Sequence, residues 1–143
     1  MHLQNPESSL TDAEMAKIEQ ALGLKFPQPV RLTYLSSNGG CPEHYIFEND
    51  DIDTVVAKFL PLKSTSKGTA IDSYRQLVLK QALVSPQFFP FAIDAGGDYF
   101  FVDCSTQKGA VHFYRGDSAK GRQLVNLNLD FDGFWNSLTS QTS

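Results

Sequence analysis

Residues 89–103 read FPFAIDAGGDYFFVD, two runs of large apolar residues separated by an acid, two glycines and a second acid. Two structures compete for such a pattern: a glycine-rich loop wrapped around an anion, and a tight turn between antiparallel strands. Phosphate loops place their glycines where a strand passes into a helix, so that backbone N–H groups and the helix N-terminus face the anion. Here an aromatic and β-branched run follows Gly96-Gly97, which is strand chemistry. Asp94 and Asp98 would also repel a phosphate, and neither GxGxxG nor GxxxxGK occurs in the chain. The stretch is therefore read as a hairpin with a glycine in a positive-φ position.

Working outward, strand-like runs at 88–94, 98–104 and 110–115 are separated by AGG and STQKG. Loops this short, each with glycine, join antiparallel neighbours, because a parallel pair needs a long crossover. A further strand at 123–127 and a short helix containing Phe134, Trp135 and Leu138 follow. Upstream, Thr69-Ala70-Ile71-Asp72 matches a capping box, and Ile71, Tyr74, Leu77, Val78 and Ala82 make the apolar stripe of a helix running to about Leu83. Pro86 stops its continuation, and STSKG at 64–68 has loop composition. Strands at 45–47 and 55–62 are joined by the acidic ENDDID, with Pro61 at a strand end. Near the N-terminus, Thr11-Asp12-Ala13-Glu14 caps a helix whose stripe is Met15, Ile18 and Leu22 and which Gly23 ends. A second helix starts around Pro29 and ends at an Asn38-Gly39 cap. Helices at both ends of the chain and strands in its middle define an α+β class with a largely antiparallel sheet.

The 143 residues form one domain, with a core from about residue 10 to 138. Twelve Lys and Arg against sixteen Asp and Glu give a net charge of −4, a field that repels phosphate backbones and argues against a direct nucleic-acid partner. MHLQNPESSL has neither the basic start nor the apolar stretch of a signal peptide, and no run is long enough for a membrane span, so the cytoplasm is the expected location. Cys41 and Cys104 lack paired spacing and are expected as reduced, partly buried thiols.

Cys41-Pro42-Glu43-His44 brings a thiol, a carboxylate and an imidazole within four residues, enough to weigh a metal site or a Cys–His nucleophile pair. A zinc site needs three or four ligands, usually from two clusters, and His2, His112 and Cys104 supply no second pair. Nothing orients His44 as a base, so Cys41 is read as a small apolar packing residue. No catalytic residue, metal or cofactor is expected. RGDS at 115–118 reads as a polar turn, and KGAVHFY at 108–114 lacks the basic surroundings of an RNA-binding strand. Core packing accounts for the central aromatics except Tyr99 and His112. The clearest charge feature runs from Glu43 to Asp53: Glu43, Glu48, Asp50, Asp51 and Asp53 are acids with no Lys or Arg among them, which reads either as a solvated acidic loop or as a surface for a basic partner.

Several of these features recur together in one known family. Phe26-Pro27 before a short helix ending in Asn38-Gly39-Gly40, then Phe89-Pro90-Phe91-Ala92, Gly96-Gly97-Asp98-Tyr99 and Asp103, with GAVHFY and FDGFWNSL after them, resemble the SUKH superfamily over about residues 10–138. That superfamily includes fungal Smi/Knr cell-wall-assembly regulators and many bacterial immunity proteins. The resemblance implies a non-catalytic binding protein whose partner is a toxin domain, a nuclease being one type. An acidic stretch that imitates phosphates would be drawn to such an enzyme, placing Glu43, Glu48, Asp50, Asp51, Asp53 and Tyr99 at the interface. The alternative role is a regulatory scaffold like the fungal members. A small Cys41–His44 enzyme or metal protein is the third reading.

Overall fold

A computed structural model describes residues 3–65, 68–119, 121 and 123–140. His2 and the Ser66-Lys67 portion of the STSKG loop lie outside the described residues. In chain order the elements are β1 (Leu3–Gln4), α1 (Asp12–Leu22), α2 (Gln28–Ser36), β2 (Cys41–Pro42), β3 (Ile46–Glu48), β4 (Asp53–Phe59) and α3 (Ala70–Ser73), which runs on as a π-helical segment (Tyr74–Lys80). Then come β5 (Phe88–Asp94), β6 (Tyr99–Asp103), β7 (Ala110–Tyr114), β8 (Leu124–Leu129) and α4 (Phe131–Ser137). Strands β3 to β8 form one six-stranded sheet in sequence order, every neighbour antiparallel. The α+β class and the meander are thus as read from the sequence, whereas the two-stranded β1–β2 ribbon is an addition.

Local chemistry sets the helix ends. The Thr11 hydroxyl accepts the Glu14 N–H at 3.1 Å and the Glu14 carboxylate accepts the Thr11 N–H at 3.1 Å, a reciprocal cap that satisfies two orphan donors. Gly23 closes α1 at φ 68°. Thr69 caps α3 through Asp72 N–H. The helix that follows ends at Lys80, short of Leu83, because its hydrogen bonds step to five residues (Gln81 N–H to Gln76 O, 3.1 Å) and the chain turns left-handed at Ala82, φ 54°. Tyr74 and Val78 stay buried, but Ala82 does not.

The expected Asn38-Gly39 cap is not formed. Helix α2 ends at Ser36 with Ser37 extended, and Asn38 is instead a buried tie between distant segments. Its amide donates to Ser8 O and Lys63 O, both at 2.9 Å, and its Oδ1 accepts Leu62 N–H at 2.8 Å.

Register separates the two faces of the sheet. Phe134 on α4 meets Phe47, Phe91 and Phe100 with ring centroids 5.0–5.6 Å apart, while Phe89 meets Phe26 and Tyr74. That face holds the helices and the core. Rings on the alternate positions contact one another within the sheet: Tyr99 with Phe101, Phe101 with Tyr114, and Phe88 with His112.

The opening hairpin has a specific organiser. Asp94 is buried, and its Oδ1 accepts the N–H groups of Gly96 (3.0 Å) and Asp98 (2.7 Å), while Oδ2 accepts the Thr54 hydroxyl at 2.8 Å. Of the two glycines only Gly97 has positive φ, at 92°. Gly97→Ala is therefore expected to cost about 1–2 kcal/mol, the left-handed penalty of an L-residue. Gly96→Ala, whose Cβ would meet nothing closer than 3.6 Å, should be nearly neutral. Urea denaturation of the two variants checks the contrast, and equal losses would contradict it.

Candidate functional site

The acidic stretch folds as the β3–β4 hairpin. Asn49 makes the turn: its N–H donates to Ile52 O at 2.8 Å, and its Oδ1 accepts Asp51 N–H (2.8 Å) and Ile52 N–H (2.7 Å), the local bonding that favours Asn at the first position of a turn. Ile52 is buried and anchors the turn from below, so Asp50 and Asp51 project outward. The pair Phe47–Thr54 points to the helix side, which by alternation sends Ile46–Val55 and Glu48–Asp53 to the other face. Glu48, Asp50, Asp51 and Asp53 are all exposed. Among the described residues no Lys or Arg pairs with any of these four; the salt bridges there join Arg31 to Asp12 and Glu19, and Lys63 to Glu14.

The other expected site residues divide. Tyr99 is half-buried on the face opposite the helices, paired in register with Ile93 of β5. Glu43 precedes β3 and stands at the end away from the turn. Asp98, read from the sequence as part of the glycine hairpin and not as a partner-facing acid, lies at the same end of the sheet as the group. In a meander alternate turns share one end, so the Asp94–Asp98 turn sits beside the start of β4, joined to it by Thr54–Asp94 and by Ala95 N–H to Val55 O at 2.9 Å. Asp98 in turn accepts Gly116 N–H at 3.1 Å, which ties in the β7–β8 turn. That turn is the RGDS segment, closed by Ser118 N–H to Arg115 O at 3.2 Å, a polar turn as expected. The signal for Asp98 was available in the order of strands rather than in any local motif.

Cys41 is exposed, which corrects its reading as a small packing residue. On the short strand β2 the alternation turns Pro42 inward and Cys41 outward. Glu43 and His44 are exposed as well, and among the described residues no group of three or more His, Cys, Asp or Glu is arranged to hold a metal. Cys104 is the opposite case: burial pushes its thiol up to about 12. Since the thiolate is the reactive species, one thiol per native chain should react rapidly with a disulfide reagent at neutral pH, and two after denaturation. Two fast thiols in the native protein would contradict this placement. His112 is held below its ordinary value by burial, against the opposing charge of Asp103.

A separate groove of about 530 Å³ lies along α2, lined by Leu3, Pro29 and Leu32 together with Gln107, Lys108 and Asp132. None of the acids of the β3–β4 hairpin reaches it. Among the described residues no helix is long and apolar enough to cross a membrane.

The model of the SMI1/KNR4 family (SUKH-1) matches residues 9–137 of the chain. No curated protein and no solved structure matches it.

Proposed function

Since the chain belongs to the SMI1/KNR4 family (SUKH-1), we propose that it is a non-catalytic protein-binding domain of the immunity class, acting in the cytoplasm by stoichiometric capture of a cognate toxin. The observation that supports this reading is the β3–β4 hairpin, which holds four exposed acids with no paired Lys or Arg among the described residues. Charges held in this way interact with whatever approaches, and a cluster of one sign raises the rate at which an oppositely charged surface arrives. A nuclease fits that description, since its own site must attract phosphates. Binding alone then neutralises it, by occupying the surface its substrate needs.

Expression of the C-terminal domain encoded by the neighbouring gene, with and without the chain, tests the proposal. Growth arrest relieved by co-expression supports it. Arrest that persists with soluble, folded chain present would reject the immunity role and leave a regulatory scaffold of the fungal type, whose partners a pull-down from native lysate would identify.

A further inference from the structure

Resting on the binding function just proposed, we infer that the partner docks on the outward face of β3–β6 at its acidic end, and that its complementary surface is an apolar centre ringed by Lys or Arg. Three observations converge on this face.

The first is where the helices are not. The aromatic contacts of α4, of the π-helical segment and of Phe26, which leads into α2, all reach the opposite face, through Phe47, Phe89, Phe91 and Phe100. The rows Ile46–Val55 and Ile93–Tyr99 face the other way and none of the four is fully buried; Val55 is 39% exposed. Tyr99 is backed by Phe101, wholly buried with its ring centroid 6.4 Å away, so the tyrosine is held in place before a partner arrives. A fixed, half-exposed aromatic paired with the half-buried Ile93, on the face that also carries exposed Val55, is the chemistry of an interface anchor.

The second is a charge arrangement that works against the fold. Glu48 lies directly opposite Asp53 across β3–β4, on the outward face. Like charges at paired positions destabilise a sheet. Among the described residues no cation pairs with either. Lys58, exposed on the same face, stands in the row of Ile93 and Tyr99 and pairs with neither acid. A partner's ammonium or guanidinium between Glu48 and Asp53 would relieve the repulsion only in the complex, so the pair favours a basic occupant.

The third concerns the edge. Strand addition along β3 is obstructed at Ile46, whose N–H and C=O are already bonded to the Thr139 backbone at 2.8 and 3.0 Å. A partner therefore meets the face of these strands rather than extending the sheet. The α2 groove presents Lys108 and Asp132 together and so gives no single sign for a charged partner to read.

Glu48→Lys separates a binding role from a structural one. It replaces the repulsion by an attraction to Asp53, so Tm should rise by about 1–4 °C. Binding to the domain encoded by the neighbouring gene should weaken at least 10-fold, while Leu32→Asp in the α2 groove leaves that binding unchanged. A capped peptide, acetyl-Lys-Leu-Lys-Leu-Lys-amide, gives a readout that needs no natural partner: in a ¹⁵N NMR titration its shifts should centre on Glu48, Asp53, Val55 and Tyr99. If the toxin domain binds wild type and Glu48→Lys equally well, the docking face is wrong and the immunity function stands. If the toxin domain does not bind but the peptide maps to these residues, the face stands and the toxin reading falls. Peptide shifts centred on the α2 groove, or a fall in Tm for Glu48→Lys, would overturn the assignment.

Discussion

Asn38→Ala should destabilise the domain by about 2–4 kcal/mol, the sum of leaving one buried and two partly buried backbone groups without a partner less whatever relaxation recovers. The wild-type amide meets Ser8 O, Lys63 O and Leu62 N–H, groups that lie 30, 25 and 24 residues away in the chain. One side chain thus ties the segment before α1 and the segment after β4 to the end of α2. The loss should appear in urea denaturation as a lower midpoint with an unchanged slope. Asn38→Asp distinguishes the polar account from simple packing. It preserves the volume and the bond to Leu62 N–H but sets a carboxylate against two carbonyl oxygens, so it should also be strongly destabilising. A loss below 1 kcal/mol in both variants would mean that water replaces the amide, and the tie would not hold the fold.

The second large effect is kinetic. Changing Glu48, Asp50, Asp51 and Asp53 together to Lys shifts the net charge by +8, from −4 to +4. The turn itself should survive, because Asn49 and the buried Ile52 that build it are retained. Association with a basic toxin domain at low ionic strength should slow by roughly 100-fold, within the range that steering supplies. The gap should narrow steeply toward 0.5 M salt, where charges farther apart than a few ångströms no longer sense each other. Stopped-flow fluorescence measures both. An unchanged association rate at low salt would remove the hairpin from the encounter.

The legible parts of this fold were those governed by neighbours in sequence. The Thr11–Glu14 cap, the left-handed Gly23 and the hairpin at Gly97 are each decided within five residues, and each is where the sequence places it. The parts that escaped depend on contacts across the chain. Asn38 looks like a helix cap because Asn-Gly commonly is one, yet its partners lie on segments no local pattern connects to it. Cys41 looks like packing material, but the alternation of β2, fixed by its pairing with β1, turns Pro42 inward and Cys41 outward. The π-helical segment after Ser73 leaves no mark in the apolar spacing, since Tyr74 and Val78 sit four apart in either kind of helix.

The candidate site followed the same rule. The acids of ENDDID were visible as composition, and their exposure follows from a turn that Asn49 builds locally. Their opposition as Glu48–Asp53, and the arrival of Asp98 at the same end of the sheet, are products of strand register and of alternate turns sharing one end of a meander. The separation of Glu43 from the group has the same origin, because β3 intervenes.

Calorimetric titration of the chain with the C-terminal domain encoded by the neighbouring gene, at low and at moderate salt, tests the binding function most directly. One-to-one binding that weakens as salt rises, with the domain's activity abolished at equivalence, is the expected result. Absence of heat and of inhibition at both salt concentrations would contradict the account.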